Sequence, residues 1–169
     1  VLSRLPMLFP CTLLRTNRQF FRVSTRGRLN HPAALLRRLN PFCTHALEAA
    51  ASLCQTRAHA EITVEHLLLK LLEQGEGDLT VISRRYEWDL DGAWQSLLAH
   101  LDVQPRSVKS RPQLSDVLLS LMQQAWLCAA TDENSQIRGV HLLMALVGKP
   151  SLLKCDGLWP LLSAGHTQL

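Results

Sequence analysis

The first 47 residues contain no acidic side chain; the first is Glu48. Eight of the eighteen Lys and Arg residues lie in positions 1–40. Positions 41–169 therefore hold ten basic groups against fourteen acidic ones, a net −4 inside a chain of net +4. A basic terminal stretch adjoins an acidic body. Other absences exclude whole classes of function. No run approaches the ~18–20 uninterrupted apolar residues of a membrane-spanning helix. The five cysteines, Cys11, Cys43, Cys54, Cys128 and Cys155, are odd in number and form no CxxC, which argues for reduced, buried thiols and against a disulfide framework. Cys43, His45, Cys54 and His59 lack the spacing of zinc ligands. The phosphate loop GxxxxGK[ST] occurs nowhere, since Gly148-Lys149 runs into Pro150 and has no upstream glycine. No GxSxG elbow or catalytic carboxylate pair appears, and Ser115 beside Asp116 is accounted for by helix capping. No catalytic residue, cofactor or metal is expected.

What the chain does contain is helical grammar. Pro32 opens a short helix with Leu35, Leu36 and Leu39 on one face and Arg37 and Arg38 on the other. Asn40-Pro41 caps and restarts a longer one that should run to about Arg57, with Phe42, Ala46, Ala49, Ala50 and Leu53 at helical spacing. Thr63 caps a third, whose Val64, Leu67, Leu68, Leu71 and Leu72 follow an i, i+3, i+4, i+7, i+8 stripe up to Gly75. Asp78 and Asp89 are placed to cap two further helices. Residues 102–113, with Arg106, Lys109, Arg111 and two prolines, form a polar loop. Ser115 then caps a second long helix, and Val140, Leu143, Met144 and Val147 make another that Gly148 and Pro150 stop. A last short helix is expected before Pro160.

Two of these stretches echo each other. "ITVEHLLLKLL" at 62–72 returns 75 positions later as "IRGVHLLMALV" at 137–147, and the same offset lays Leu47 on Met122 and Ala50 on Ala125. Each unit is a long helix followed by a shorter His-containing one, with an apolar face it cannot bury alone; two such units predict a pseudo-twofold all-α bundle. His66 and His141 fall in the first turn of their helices, where a neutral imidazole can join the capping hydrogen bonds and a charged one would oppose the helix dipole.

This doubled unit resembles the N-terminal domain of the Clp family of AAA+ unfoldases. "LNPFCTHALEAAASLCQTRAHAEITVEHLLLKLLEQGEGDLTVISRRYEWD" is most similar to the ClpV (TssH) branch from bacterial type VI secretion systems. The resemblance spans roughly residues 33–162 and is weaker in the second repeat, where Arg138 occupies the cap position held by Thr63. It implies a cytoplasmic, bacterial substrate-receptor domain. Such a domain captures the N-terminal helix of the large sheath subunit (TssC/VipB type) once the sheath contracts, and passes it to the AAA+ ring. ATPase activity would lie in that ring, so this chain is expected to be a domain of a longer protein or the product of a truncated gene. The branch carries an extra short helix before the first repeat, and "PAALLRRL" stands where that helix belongs.

The expected organisation is a basic extension over 1–31, poorly ordered and closer to a misplaced start than to a transit peptide. A Clp-type domain follows over 32–160, with repeats at about 40–101 and 114–155, and a linker begins at 161–169. Leu35, Leu36 and Leu39, with Phe42 and Ala46 of the next helix, can form an apolar groove that takes an amphipathic peptide helix through i, i+3, i+4, i+7 anchors. The same side chains would also serve as ordinary core. Two rivals stand beside this function. Nucleic-acid binding is motivated by the terminal arginines and the basic loop but opposed by the acidic body and by aromatics at core spacing. A helical scaffold unrelated to unfoldases requires the repeat to be fortuitous.

Overall fold

The computed structural model describes residues 32–107 and 112–158; the extension 1–31, Lys109 and Arg111 of the polar loop and the segment 161–169 lie outside these. Among the described residues seven helices carry the fold: α1 (Pro32–Leu36), α2 (Pro41–Thr56), α3 (Val64–Glu73), α4 (Asp78–Arg85), α5 (Leu90–Asp102), α6 (Asp116–Thr131) and α7 (Gly139–Gly148). Two 3₁₀ turns, Pro150–Leu152 and Asp156–Leu158, follow in place of the short helix expected before Pro160.

The starts are where capping chemistry puts them. Asn40 accepts from the Cys43 amide at 2.9 Å, Asp89 from Gly92 at 2.9 Å and Ser115 from Leu118 at 3.1 Å. Asp78 differs from expectation: it is the first residue of α4, behind Gly77, and its carboxylate caps α7 instead. The long helices stop without glycine. Ala58 (φ 56°) and Glu133 (φ 55°) adopt the left-handed conformation, and the amides of His59 and Asn134 reach back to the carbonyls of Cys54 and Ala129 at 2.9 and 2.8 Å. These are Schellman closures, at a cost of about 1 kcal/mol for each non-glycine residue.

The repeat is exact in the backbone. α2 and α6, and likewise α3 and α7, have bounds that differ by 75 at both ends. α2 packs on α3 and α6 on α7, while α5 lies against α3, α4 against α7 and α1 against α6. The repeats are joined by a feature absent from the helical pattern. Glu61–Ile62 (β1) pairs in parallel with Gln113–Leu114 (β2), and Leu39 pairs in parallel with Ile137. The 75-residue offset carries Leu39 to Leu114 and Ile62 to Ile137, so one pairing is the pseudo-twofold image of the other. Both Ile side chains are fully buried among Leu67, Leu97, Leu118, Leu121 and Leu142. Arg38 stacks over the Trp126 ring at 3.8 Å, which seats the end of α1 on α6.

Burial separates Leu68 of α3 from Leu127 of α6. Leu68→Ala, at a core position 2% exposed, should lower stability by about 2–5 kcal/mol. Leu127→Ala, at 59% exposure, should change it by less than about 0.5 kcal/mol. Urea midpoints of the two variants check both values.

Candidate functional site

A cleft of about 530 Å³ opens where the two repeats meet, with walls from both. The first repeat supplies the start of α2, the end of α3 and the Gly77–Leu79 entry to α4; the second supplies the 134–139 turn before α7. Phe42 and Val81, 45% and 68% exposed, are large apolar side chains left in solvent, and both line it, with Leu71 and Leu79 behind. Gly77 closes on the Phe42 ring with φ 90°, and a Cβ there would stand 3.9 Å from the ring. Gln74 pins the start of α2: its Nε2 donates to the Phe42 carbonyl at 3.1 Å and lies 3.1 Å from His45 Nδ1. A second hollow of about 520 Å³ continues past Phe42 along Pro41, His45, Gln74 and Glu76. Cys43 sits at the cleft's floor with its thiol pushed up to about 12, first by burial and then by the Asp78 carboxylate, so it is neither thiolate nor nucleophile.

The pseudo-twofold image of this cleft also exists, at about 240 Å³. There Val117 takes the place of Phe42, Asp116 that of Pro41 and Glu61 that of Gln136. The image is smaller and holds Glu61, Glu65 and Asp116, whereas the first cleft exposes Phe42 and Val81.

The five residues expected to form the groove are divided by the structure. Leu35, Leu39 (6% exposed) and Ala46 (0%) are core, because α1 and α2 turn those faces onto the second repeat and onto α3. Leu36 is half-buried, and Phe42 stands in the open cleft. The buried face of α2 is instead Cys43, Ala46, Leu47, Ala50 and Cys54, one residue round from the stripe that included Phe42. Val81, Asp78 and Arg138 were not foreseen as cleft residues. The available signal for Val81 was an apolar side chain off the face on which Leu79 and Ile82 pack against the core.

The repeated histidines act as caps. His66 Nδ1 accepts the Thr63 amide at 3.2 Å and His141 Nδ1 accepts the Arg138 amide at 3.0 Å. For His66 this fixes the tautomer. With Nδ1 accepting, the proton is on Nε2, which donates across 2.9 Å to His59 Nδ1, so His59 carries its proton on Nε2 as well. Burial, with neighbouring His59, Arg57 and His100, lowers His66 to about 4. Burial, then Arg57 and Arg106, lowers His59 too, against an opposing pull from Asp102. His141 is lowered by burial, but the Asp132 carboxylate 3.4 Å from its Nε2 works against that shift.

A family model for the Clp repeat N-terminal domain matches residues 38–154, and the chain belongs to that family. Solved relatives place it beside ClpV proteins. It is 66% identical to the N-terminal domain of the ClpV1 ATPase from the Sci1 type VI secretion system of enteroaggregative E. coli, with a TM-score of 0.79 over 80% of this chain and 83% of that one. It is 27% identical to a ClpV N-domain solved in complex with a VipB peptide, at a TM-score of 0.74 over 88% and 91% of the two chains. Among full-length proteins it is 28% identical to the AAA+ ATPase ClpV1 of Pseudomonas aeruginosa over 120 residues, which are 70% of this chain and 13% of that protein. The all-α doubled-repeat fold expected from the sequence is thus the fold of its relatives.

The histidine pair sets a pH dependence. Unfolded His titrates near ~6.5, above the folded value of about 4 for His66, so unfolding takes up protons. The stability is fully present above pH ~6.5 and is lost as pH falls toward 4, by up to about 3 kcal/mol for His66. His66→Gln keeps an N3 cap and removes the titration. Its urea midpoint should fall less between pH 7.5 and 4.5 than the parent's; an identical fall would show that His66 is not the titrating group.

Proposed function

We propose that the chain is the substrate-recognition N-domain of a ClpV-type unfoldase in the bacterial cytoplasm, and that it binds the N-terminal amphipathic helix of the large sheath subunit (TssC/VipB type) of a contracted type VI secretion sheath. The AAA+ ring that follows such domains carries the ATPase activity and takes over the captured subunit. The observation that carries this reading is the solved ClpV N-domain with a VipB peptide, similar to this chain over most of both lengths. The cleft between the repeats supplies a fitting surface. Phe42 and Val81 offer exposed apolar area with small and polar residues around it, as a helix-in-groove contact requires. Leu36 packs half-buried against the core, and Leu35, Leu39 and Ala46 lie within it. Most of the basic residues that motivate the nucleic-acid reading, the arginines of 1–31 with Lys109 and Arg111, lie outside the described residues.

Isothermal titration with a peptide from the N-terminal region of the sheath subunit should give saturable binding. Phe42→Ala should weaken it about tenfold or more, as truncating an aromatic anchor does, with little change in melting temperature. Absence of binding at high micromolar peptide, or binding to duplex DNA that falls steeply with salt, would contradict the proposal.

A further inference from the structure

Arg138 stands at the N-cap of α7 where Thr63 stands at that of α3, so the second repeat has no hydroxyl there. The missing acceptor comes from the other repeat. Asp78 Oδ2 accepts from the Val140 amide, at the second position of α7, across 3.3 Å, and from Arg138 Nε across 3.2 Å; Oδ1 takes the Arg138 Nη2. Leu79 follows the carboxylate onto the same turn, where a Cβ on Gly139 would come 2.9 Å from its Cδ1. The first turn of α4 is therefore fastened to the first turn of α7 by an ion pair, a cap and an apolar contact. α4 is also the wall of the cleft that faces Phe42, through Gly77, Leu79 and Val81.

We infer that Asp78 and Arg138 form a cross-repeat clasp that positions α4 against Phe42 and so sets the width of the peptide cleft. The inference rests on the peptide-binding function proposed above. It assigns these two residues a positioning role in place of direct contact with the peptide. It also explains why an arginine stands at a helix cap: it gives up a local hydrogen bond and gains a link between the repeats. At the image cleft the corresponding segments are joined without an ion pair, by one hydrogen bond in which the Lys154 amide donates to Glu65 Oε1 across 3.0 Å.

The experiment separates the clasp from the stability of α7. Arg138→Thr restores the capping chemistry of the first repeat while removing the ion pair. Asp78→Asn keeps an acceptor for Val140 while removing the charge, and carries the test if the first variant folds poorly. In the 169-residue chain, either variant should keep amide exchange in α7 slow, speed exchange across α4 and weaken binding of the sheath-type peptide several-fold; Arg138→Lys should recover part of the affinity. Unchanged α4 exchange would overturn the clasp. Faster α4 exchange with unchanged affinity would overturn its role at the cleft. Failure of the parent chain to bind the peptide removes the positioning role together with the proposed function, and is distinguishable because it appears before any substitution is made.

Discussion

Two parallel backbone pairings hold the molecule together, Leu39 with Ile137 and Leu114 with Ile62. Each takes the residue just before the cap of one repeat's long helix and fastens it to the isoleucine that opens the other repeat's histidine helix. The Asn40 amide donates to the Ile137 carbonyl at 2.9 Å and the Ser115 amide to Ile62 at 3.0 Å, so the two capping residues are also the rungs. Since each unit supplies half of each rung, neither buries its isoleucine alone. The buried helix faces then follow as a consequence of a joint that four backbone segments define.

Symmetry of the joint makes the departures from symmetry informative. Both image clefts are built the same way, yet one receives Phe42 and Pro41 and the other Val117 and Asp116. Both histidine helices are capped by their own imidazole, but His66 passes its proton toward His59 while His141 faces Asp132. Arg138 turns a local cap into a contact between repeats. Exposed apolar side chains and a cross-repeat ion pair gather on one of the two clefts.

The helices were legible in the sequence because their signals are local. Asn40, Asp89 and Ser115 cap where they stand, and the leucine stripe of α3 faces inward as its spacing dictates. The joint was not legible, since a two-residue strand has no period to detect and the opening Ile of each phrase reads as part of a helix. The groove residues were read one helical step away. Phe42 lies beside the alanines in sequence, but the turn of α2 buries Cys43 and Leu47 and releases Phe42 to solvent. Leu39 reads in the sequence as either groove or core, and the structure makes it a buried rung of the ladder. Asp78 carried a correct capping signal whose recipient was another helix, 62 residues away.

The most direct test is native-state hydrogen exchange on the amides of Asn40, Ser115 and Ile137, which form the rungs of both pairings. If the repeats stabilise each other through this joint, all three exchange only when the whole domain unfolds, with one common opening free energy that shifts in step with urea. If the Ser115 amide and the Asn40 and Ile137 amides open at different free energies, the repeats are separable units, and the joint is not what the fold depends on.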